Sequence, residues 1–212
     1  AQRRQDPNGA SAHYRRALAL DPRLYEVALQ LAELRAQLSD PAGADALYAT
    51  VIADAPDDDL VERAARASIE LSIARGAPVA LLDRLLPLAL SRFDRPVYGR
   101  AALDVLDAMA AGLVARAAGT DEDAATARRT LHDVAARGLP VLLRALTSSD
   151  PRERVTALSI LGSARVEAAA PALLSLVESS SEAPLRHRAL EAAVEVAPAS
   201  LAESRSAALA RS

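Results

Sequence analysis

The sequence predicts an all-α chain, an α-solenoid of stacked antiparallel helix pairs with about ten or eleven helices. Three observations carry this. First, Ala10-x3-Tyr14-x2-Ala17-x4-Pro22 returns thirty-four residues later as Ala44-x3-Tyr48-x2-Val51-x4-Pro56. Self-similarity at such a period marks stacked repeats. Second, hydrophobic content is 51% but aromatic content only 2%, which suits closely packed helices and is poor for a β-sandwich. Third, proline and glycine punctuate the chain at helix-length intervals.

The Tyr and Pro matches weigh most, because the chain has only 4 Tyr and 12 Pro in 212 residues. Alanine, aromatic and alanine at i, i+4 and i+7 share one helix face. The small residues admit a neighbouring helix, and the ring fills the gap between repeats. The proline follows the helix end and cannot continue it.

Taken in order, a polar lead-in broken by Pro7 and Gly9 precedes a helix from about Gly9 to Leu20. A second helix spans roughly Arg23 to Leu38. Asp40-Pro41 gives a cap and a first-turn proline to the third, which ends near Ala53. The run Asp57-Asp58-Asp59 reads as the acidic start of a fourth helix, Leu60 to Arg75, closed by Gly76. The fifth covers Pro78 to Leu90, where the expected Ala, Tyr and Pro read Pro78, Leu82 and Leu90; Pro87 should kink or shorten it. A longer helix follows from Pro96 to Ala118, with Met109 as core filler. Thr120 and Asp123 suggest a capping box for a helix reaching Arg137, ended by Gly138.

The last third has another rhythm. A short helix spans Gly138 to Leu146, and Asp150-Pro151 opens one ending at Leu161-Gly162. The unit returns at Pro171–Val177 and Pro184–Leu190. Pro140 and Pro171 stand 31 apart; Arg154 and Arg186 stand 32 apart, as do Ala157 and Ala189. A final helix is expected from about Pro198 to Leu209, with Leu201, Ala208 and Leu209 apolar.

The Ala10–Pro22 and Ala44–Pro56 segments resemble the second helix of a tetratricopeptide repeat, whose pattern is Ala-x3-aromatic, then Ala, then Pro. The first helix of the complete unit, Tyr25 to Leu38, departs from that family. Its usual Trp, Gly and Tyr positions read Ala28, Ala32 and Arg35, and only Leu31 keeps the expected type. The resemblance implies an inner wall that includes Glu26, Leu29, Gln30, Glu33 and Arg63. The clamp by which some members of that family grip acidic tails is not implied, because its inner positions read Leu29 and Glu33. The last third resembles HEAT repeats, the group that also includes the HEAT-like repeats of phycobilisome lyases. There, an acid before the second helix and an arginine inside it tie neighbouring repeats. By resemblance these are Asp150 with Arg154, and Glu182 with Arg186; Glu153 stands where an aliphatic residue is usual. The organisation expected is therefore 1–91 tetratricopeptide-like, 92–137 junction helices and 138–212 HEAT-like. Because the chain opens on Ala-Gln-Arg-Arg and enters at a second helix, it is expected to be a segment of a longer protein.

Chemistry is sparse. The formal charge is −3, and the acidic excess lies in residues 1–58, with 6 Arg against 9 acids. There is no Cys, hence no disulfide and no thiolate zinc site. Lys is absent, which leaves no phosphate loop. His13, His132 and His187 show no ligand spacing, and no Gly-x-Ser-x-Gly elbow occurs. No apolar run reaches the ~18 residues of a membrane span, and no signal pattern is present. No catalytic, cofactor or metal residue is therefore assigned, and the chain is read as not an enzyme. Arg144, Arg152, Arg154, Arg186 and Arg188 could form a basic stripe, but acids share that segment and no aromatic is there to stack on a base. The expectation is a scaffold or adaptor that binds a peptide or helix, from another protein or from its own parent chain, on a concave face. The rivals are a nucleic-acid-binding HEAT-type module and a non-catalytic regulatory segment of a larger enzyme.

Overall fold

The computed structural model describes residues 7–197, and the helix expected over 198–209 lies outside them. Within that span the chain is all-helical, with no strand. The α-helices are α1 Pro7–Leu20, α2 Tyr25–Gln37, α3 Pro41–Asp54, α4 Asp58–Ala74, α5 Pro78–Ser91, α6 Pro96–Ala117, α7 Glu122–Arg137, α8 Leu139–Ala145, α9 Pro151–Ala164, α10 Ala170–Ser179 and α11 Ala183–Val196. A 3-10 turn, Glu167–Ala169, precedes α10.

Two compact units divide the chain, Ala1–Ala101 and Ala102–Ser212, called unit 1 and unit 2. In unit 1 each helix packs on its sequence neighbour from α1 to α5, and α2 also packs on α4. In unit 2, α7, α9 and α11 pack in series, with α8 against α7 and α9, and α10 against α11. This order, in which each hairpin lies beside the next, is that of an α-solenoid. The cores are aliphatic, as composition requires: Leu29, Leu31, Ile52, Leu82 and Leu85 are fully buried in unit 1, and Leu106, Leu142, Leu161 and Leu173 in unit 2. Met109 is buried as core filler.

Local chemistry sets the helix ends. Asp40 caps α3, accepting from the Gly43 amide at 2.9 Å with Pro41 at the first position. Asp57 caps α4 through the Asp59 amide at 2.9 Å, and Asp150 caps α9 through the Arg152 amide at 2.8 Å. Gly76 ends α4 with φ of 66°, a left-handed conformation in which the next amide, of Ala77, reaches back to the Ser72 carbonyl at 2.8 Å. Two expectations need correcting. The cap of α7 is Asp121, which accepts from the Ala124 amide at 2.8 Å, rather than Thr120. Nor does Pro87 shorten its helix, because α5 runs through it to Ser91. Pro87 is exposed, so its missing hydrogen bond falls on the wet side, where water can serve the freed carbonyl.

Candidate functional site

The repeat signature of unit 1 occupies matching slots. Tyr14 and Tyr48 stand the same distance before the ends of α1 and α3, and exposed Pro22 and Pro56 each stand two residues beyond. Ala44, Tyr48 and Val51 are buried; Ala10, Tyr14 and Ala17 are half-buried.

The five residues expected on an inner wall separate by depth. Glu26, Glu33 and Arg63 are exposed and Gln30 is half-buried. Leu29, however, is 0% exposed and belongs to the core with Ala28, Leu31 and Ala32, so it can meet no partner. Arg63 on α4 reaches back to α2 and grips Glu26 with two bonds of 2.9 and 3.1 Å. That bond raises the Arg63 pKa against the opposing cost of burial, with the fields of Glu26, Glu33 and Asp57 adding to it. Tyr48 carries a raised pKa, chiefly from burial and then from the negative fields of Glu33 and Glu70.

A second polar centre of unit 1 is one the periodic pattern did not announce. Tyr98, near the start of α6, is fully buried. Its hydroxyl donates to the Ile52 carbonyl at 3.1 Å and accepts from Arg92 at 2.9 Å and Arg95 at 3.1 Å, which uses its full capacity. The two guanidinium carbons lie 5.4 and 5.1 Å from the ring centroid, within cation–π range. Arg92 also bonds the Ala53 carbonyl at 2.8 Å, and Arg95 bonds the Ala55 carbonyl at 2.9 Å and Asp58 at 2.7 Å. Burial disfavours the Arg95 charge, but the bond to Asp58 and neighbouring negative fields outweigh it and raise its pKa. The end of α3 would otherwise leave these carbonyls unsatisfied. Spacing of three between Arg92, Arg95 and Tyr98 was the available signal.

Unit 2 repeats its polar contacts in register. Arg154 donates to the Ser148 and Ser149 carbonyls at 2.8 and 3.3 Å, and Arg186 donates to the Ser180 and Ser181 carbonyls at 3.0 and 3.1 Å. The acids divide differently from the expected sets. Asp150 is consumed as a helix cap, and Arg154 pairs forward with Glu182, at 3.0 and 3.3 Å, rather than with Asp150. The tie between hairpins is therefore Arg154–Glu182. Of the basic stripe, Arg154 and Arg186 direct N–H groups to backbone, whereas Arg188 lines a groove.

A groove of about 1250 Å³ runs along α7, α9 and α11 and is bounded by Val114 and Ala117 at the end of α6. Its floor includes Val155, Leu158 and Ala192, and its sides carry Arg129, His132, Asp133, Arg188 and Glu191. The close approach of α9 and α11 needs Gly162, where a methyl group would lie 3.3 Å from the Ala192 Cα. His132 sits across from the end of α9, with Nδ1 3.0 Å from the Ala164 carbonyl. A carbonyl only accepts, so Nδ1 carries the proton, and in the neutral ring Nε2 is the free acceptor. Ser159, Ser163 and Asp133 line the same groove. No hydrogen bond joins His132 to an acid or hydroxyl among the described residues, so they do not form the connected set of a hydrolase triad. Beside this site, Arg165 adopts a left-handed conformation with φ of 53° and pairs with Glu195 at 2.9 Å.

No protein-family model, curated protein or solved structure matches this chain.

Proposed function

We propose that the chain is a protein-interaction module, a scaffold or adaptor without catalysis of its own, and that the groove of unit 2 holds a helical or extended segment of a partner. The groove carries this reading. At about 1250 Å³ it exceeds the ~300–1,000 Å³ of ordinary small-molecule pockets, and it lies open along three helices that pack in series. An apolar floor with polar sides suits an amphipathic helix, whose apolar stripe would cover Val155 and Leu158. Asp133 and Arg188 have no ion-pair partner among the described residues, which leaves them to set register. The helix pairing that resembles HEAT repeats supports the same reading, since stacked hairpins offer elongated surfaces. Against the nucleic-acid reading stands the engagement of Arg154 and Arg186 with backbone carbonyls; a strongly salt-dependent affinity for duplex or single strand would reopen it.

The test is affinity selection of helical peptides from a display library on the immobilised chain, followed by competition against Ser159→Trp. Ser159 is exposed on α9 within the groove, so the indole fills space without entering the core. Selected peptides should lose roughly tenfold or more in affinity, the scale of a central interface contact, while helical circular dichroism is unchanged. Peptides that bind the variant as tightly as the parent would place the interaction elsewhere.

A further inference from the structure

The groove of unit 2 holds its charges at fixed levels. Three contacts set the register of α9 against α11: Arg154 with Glu182 at 3.0 Å, Gly162 against Ala192, and Arg165 with Glu195 at 2.9 Å. Their sequence offsets are 28, 30 and 30, nearly constant, so the two helices run side by side in the same direction. Arg188 therefore stands level with residues 158 to 160 of α9. Of these, Leu158 and Ile160 are buried and Ser159 is exposed, and Ser159 lines the groove together with Arg188. Neither Ser159 nor Arg188 has a hydrogen-bond or ion-pair partner among the described residues. The hydroxyls of Thr50, Thr130 and Ser179, by contrast, fold back on the carbonyl four residues earlier in their own helices. The other charges of the groove are engaged or stand at another level. Arg165 closes on Glu195, Glu191 faces His187 at 3.2 Å, and Arg129 bonds Thr126 at 3.2 Å. Arg128 gives Nη1 to the Ala117 and Gly119 carbonyls at 2.7 and 3.0 Å. Asp133 follows His132, which bonds the Ala164 carbonyl, a level ~7.5 Å beyond Ser159 along α9.

We propose that Arg188 and Ser159 together anchor one carboxylate side chain, aspartate or glutamate, of the helical segment held in the groove. This occupant presupposes the peptide groove proposed above and adds the chemistry of what fills it. Charge complementarity selects the anion. A guanidinium gives a carboxylate two parallel N–H bonds, and the serine hydroxyl donates a third. Val155 stands one turn before Ser159 on the same face of α9, so an apolar residue one turn from the acid meets it. Asp133, at the far level, repels a second acid there. The segment is thus an amphipathic helix with a single acid beside its apolar stripe, and a polyacidic tail does not fit.

The probes are C-terminally amidated copies of the helical peptides recovered from the display library, measured on the full chain by fluorescence anisotropy. Amidation leaves side chains as their only carboxylates. Changing the anchoring acid of a peptide to its amide should weaken binding roughly tenfold, the scale of a charge-assisted contact, and Arg188→Gln should weaken it equally. Ser159→Ala should weaken it roughly threefold. The amide peptide should lose nothing further on Arg188→Gln, because both changes remove the same contact. Arg152→Gln removes an exposed arginine of α9 outside the groove and should leave binding unchanged. An equal loss in Arg152→Gln would reduce the effect to net charge and overturn the anchor. Peptides that Ser159→Trp excludes but Arg188→Gln does not affect would overturn the anchor and leave the groove reading standing. Peptides indifferent to Ser159→Trp would remove both. Displacement of the peptides by single-stranded DNA, lost in Arg188→Gln, would assign Arg188 to phosphate groups and overturn the anchor as well.

Discussion

Unit 1 holds all four tyrosines and the single phenylalanine of the chain, while unit 2 has no Phe, Tyr or Trp. Unit 1 fills its inter-helix gaps with rings: Tyr48 in the α3 slot and Tyr98 beneath the end of α3. Unit 2 closes its gaps by subtraction, with Gly162 against Ala192 where α9 meets α11. The polar ties differ as well. In unit 1 the later element reaches back, as in Arg63 to Glu26, Arg84 to Asp45 and, from the link before α6, Arg95 to Asp58. In unit 2 the ties among α7, α9 and α11 run forward from the earlier element, as in His132 to the Ala164 carbonyl, Arg154 to Glu182 and Arg165 to Glu195, while Arg128 reaches back to the Ala117 and Gly119 carbonyls. The lesson is that stacked hairpins fix a need, to satisfy helix ends and join neighbours, and leave its chemistry free.

The comparison breaks hardest at Tyr98. Tyr98→Ala removes a fully buried ring and leaves the Ile52 carbonyl and two arginines without their common partner. It should cost unit 1 about 3–5 kcal/mol, which is much of a small domain's whole stability. Hydrogen exchange reads this as lost amide protection, greatest in α3. Tyr98→Phe keeps the ring and should cost about 1–3 kcal/mol, the price of an unsatisfied buried group. A loss no larger than that in the alanine variant would mean that the ring is a passenger in the clasp.

The next effect tests the direction of the ties. Arg154 is 12% exposed in its side chain and serves two carbonyls and Glu182, so Arg154→Met should cost about 1–3 kcal/mol in urea unfolding. Its double-mutant cycle with Glu182→Gln should give a coupling of about 1 kcal/mol, since Glu182 is 57% exposed. The corresponding cycle for Arg63 and Glu26, at 47% and 49% exposed, should give less than about 1 kcal/mol. Reversal of that order would remove the distinction between a carbonyl-anchored tie and a surface pair.

Which parts of this were legible from the sequence follows from the range of each interaction. Helix ends written within four residues were readable: Asp40-Pro41, Asp57, Gly76 and Asp150-Pro151 act where they stand. The run Thr120-Asp121-Glu122-Asp123 offered several caps, and only the backbone trajectory selects Asp121. Leu29 was misplaced because the family template for its helix was degenerate, and a modest rotation about the helix axis exchanges wall for core. The forward pairing of Arg154 and the Tyr98 clasp join residues 28 and 46 apart, for which no local pattern exists. The groove of unit 2 is likewise a product of packing, assembled from α7, α9 and α11.

The smallest expected effect separates the units by pH. The chain has neither Cys nor Lys, so tyrosines are its only side chains that titrate between roughly pH 8 and 12. All of them lie in unit 1, so alkaline sensitivity should be confined there. The Tyr48 pKa is raised from 10.0 by burial and then by Glu33 and Glu70. A group raised in the folded state is protonated in both states at lower pH and ionises first in the unfolded chain as pH climbs. Its stabilising contribution is therefore intact below 10.0 and declines as pH rises through the folded value. Urea midpoints across this range should fall for the parent and fall less for Tyr48→Phe. Glu33→Gln/Glu70→Gln should lie between the two, because burial, the larger cause, remains when the carboxylates are gone. A double variant that tracks the parent would mean that Glu33 and Glu70 do not act on the hydroxyl.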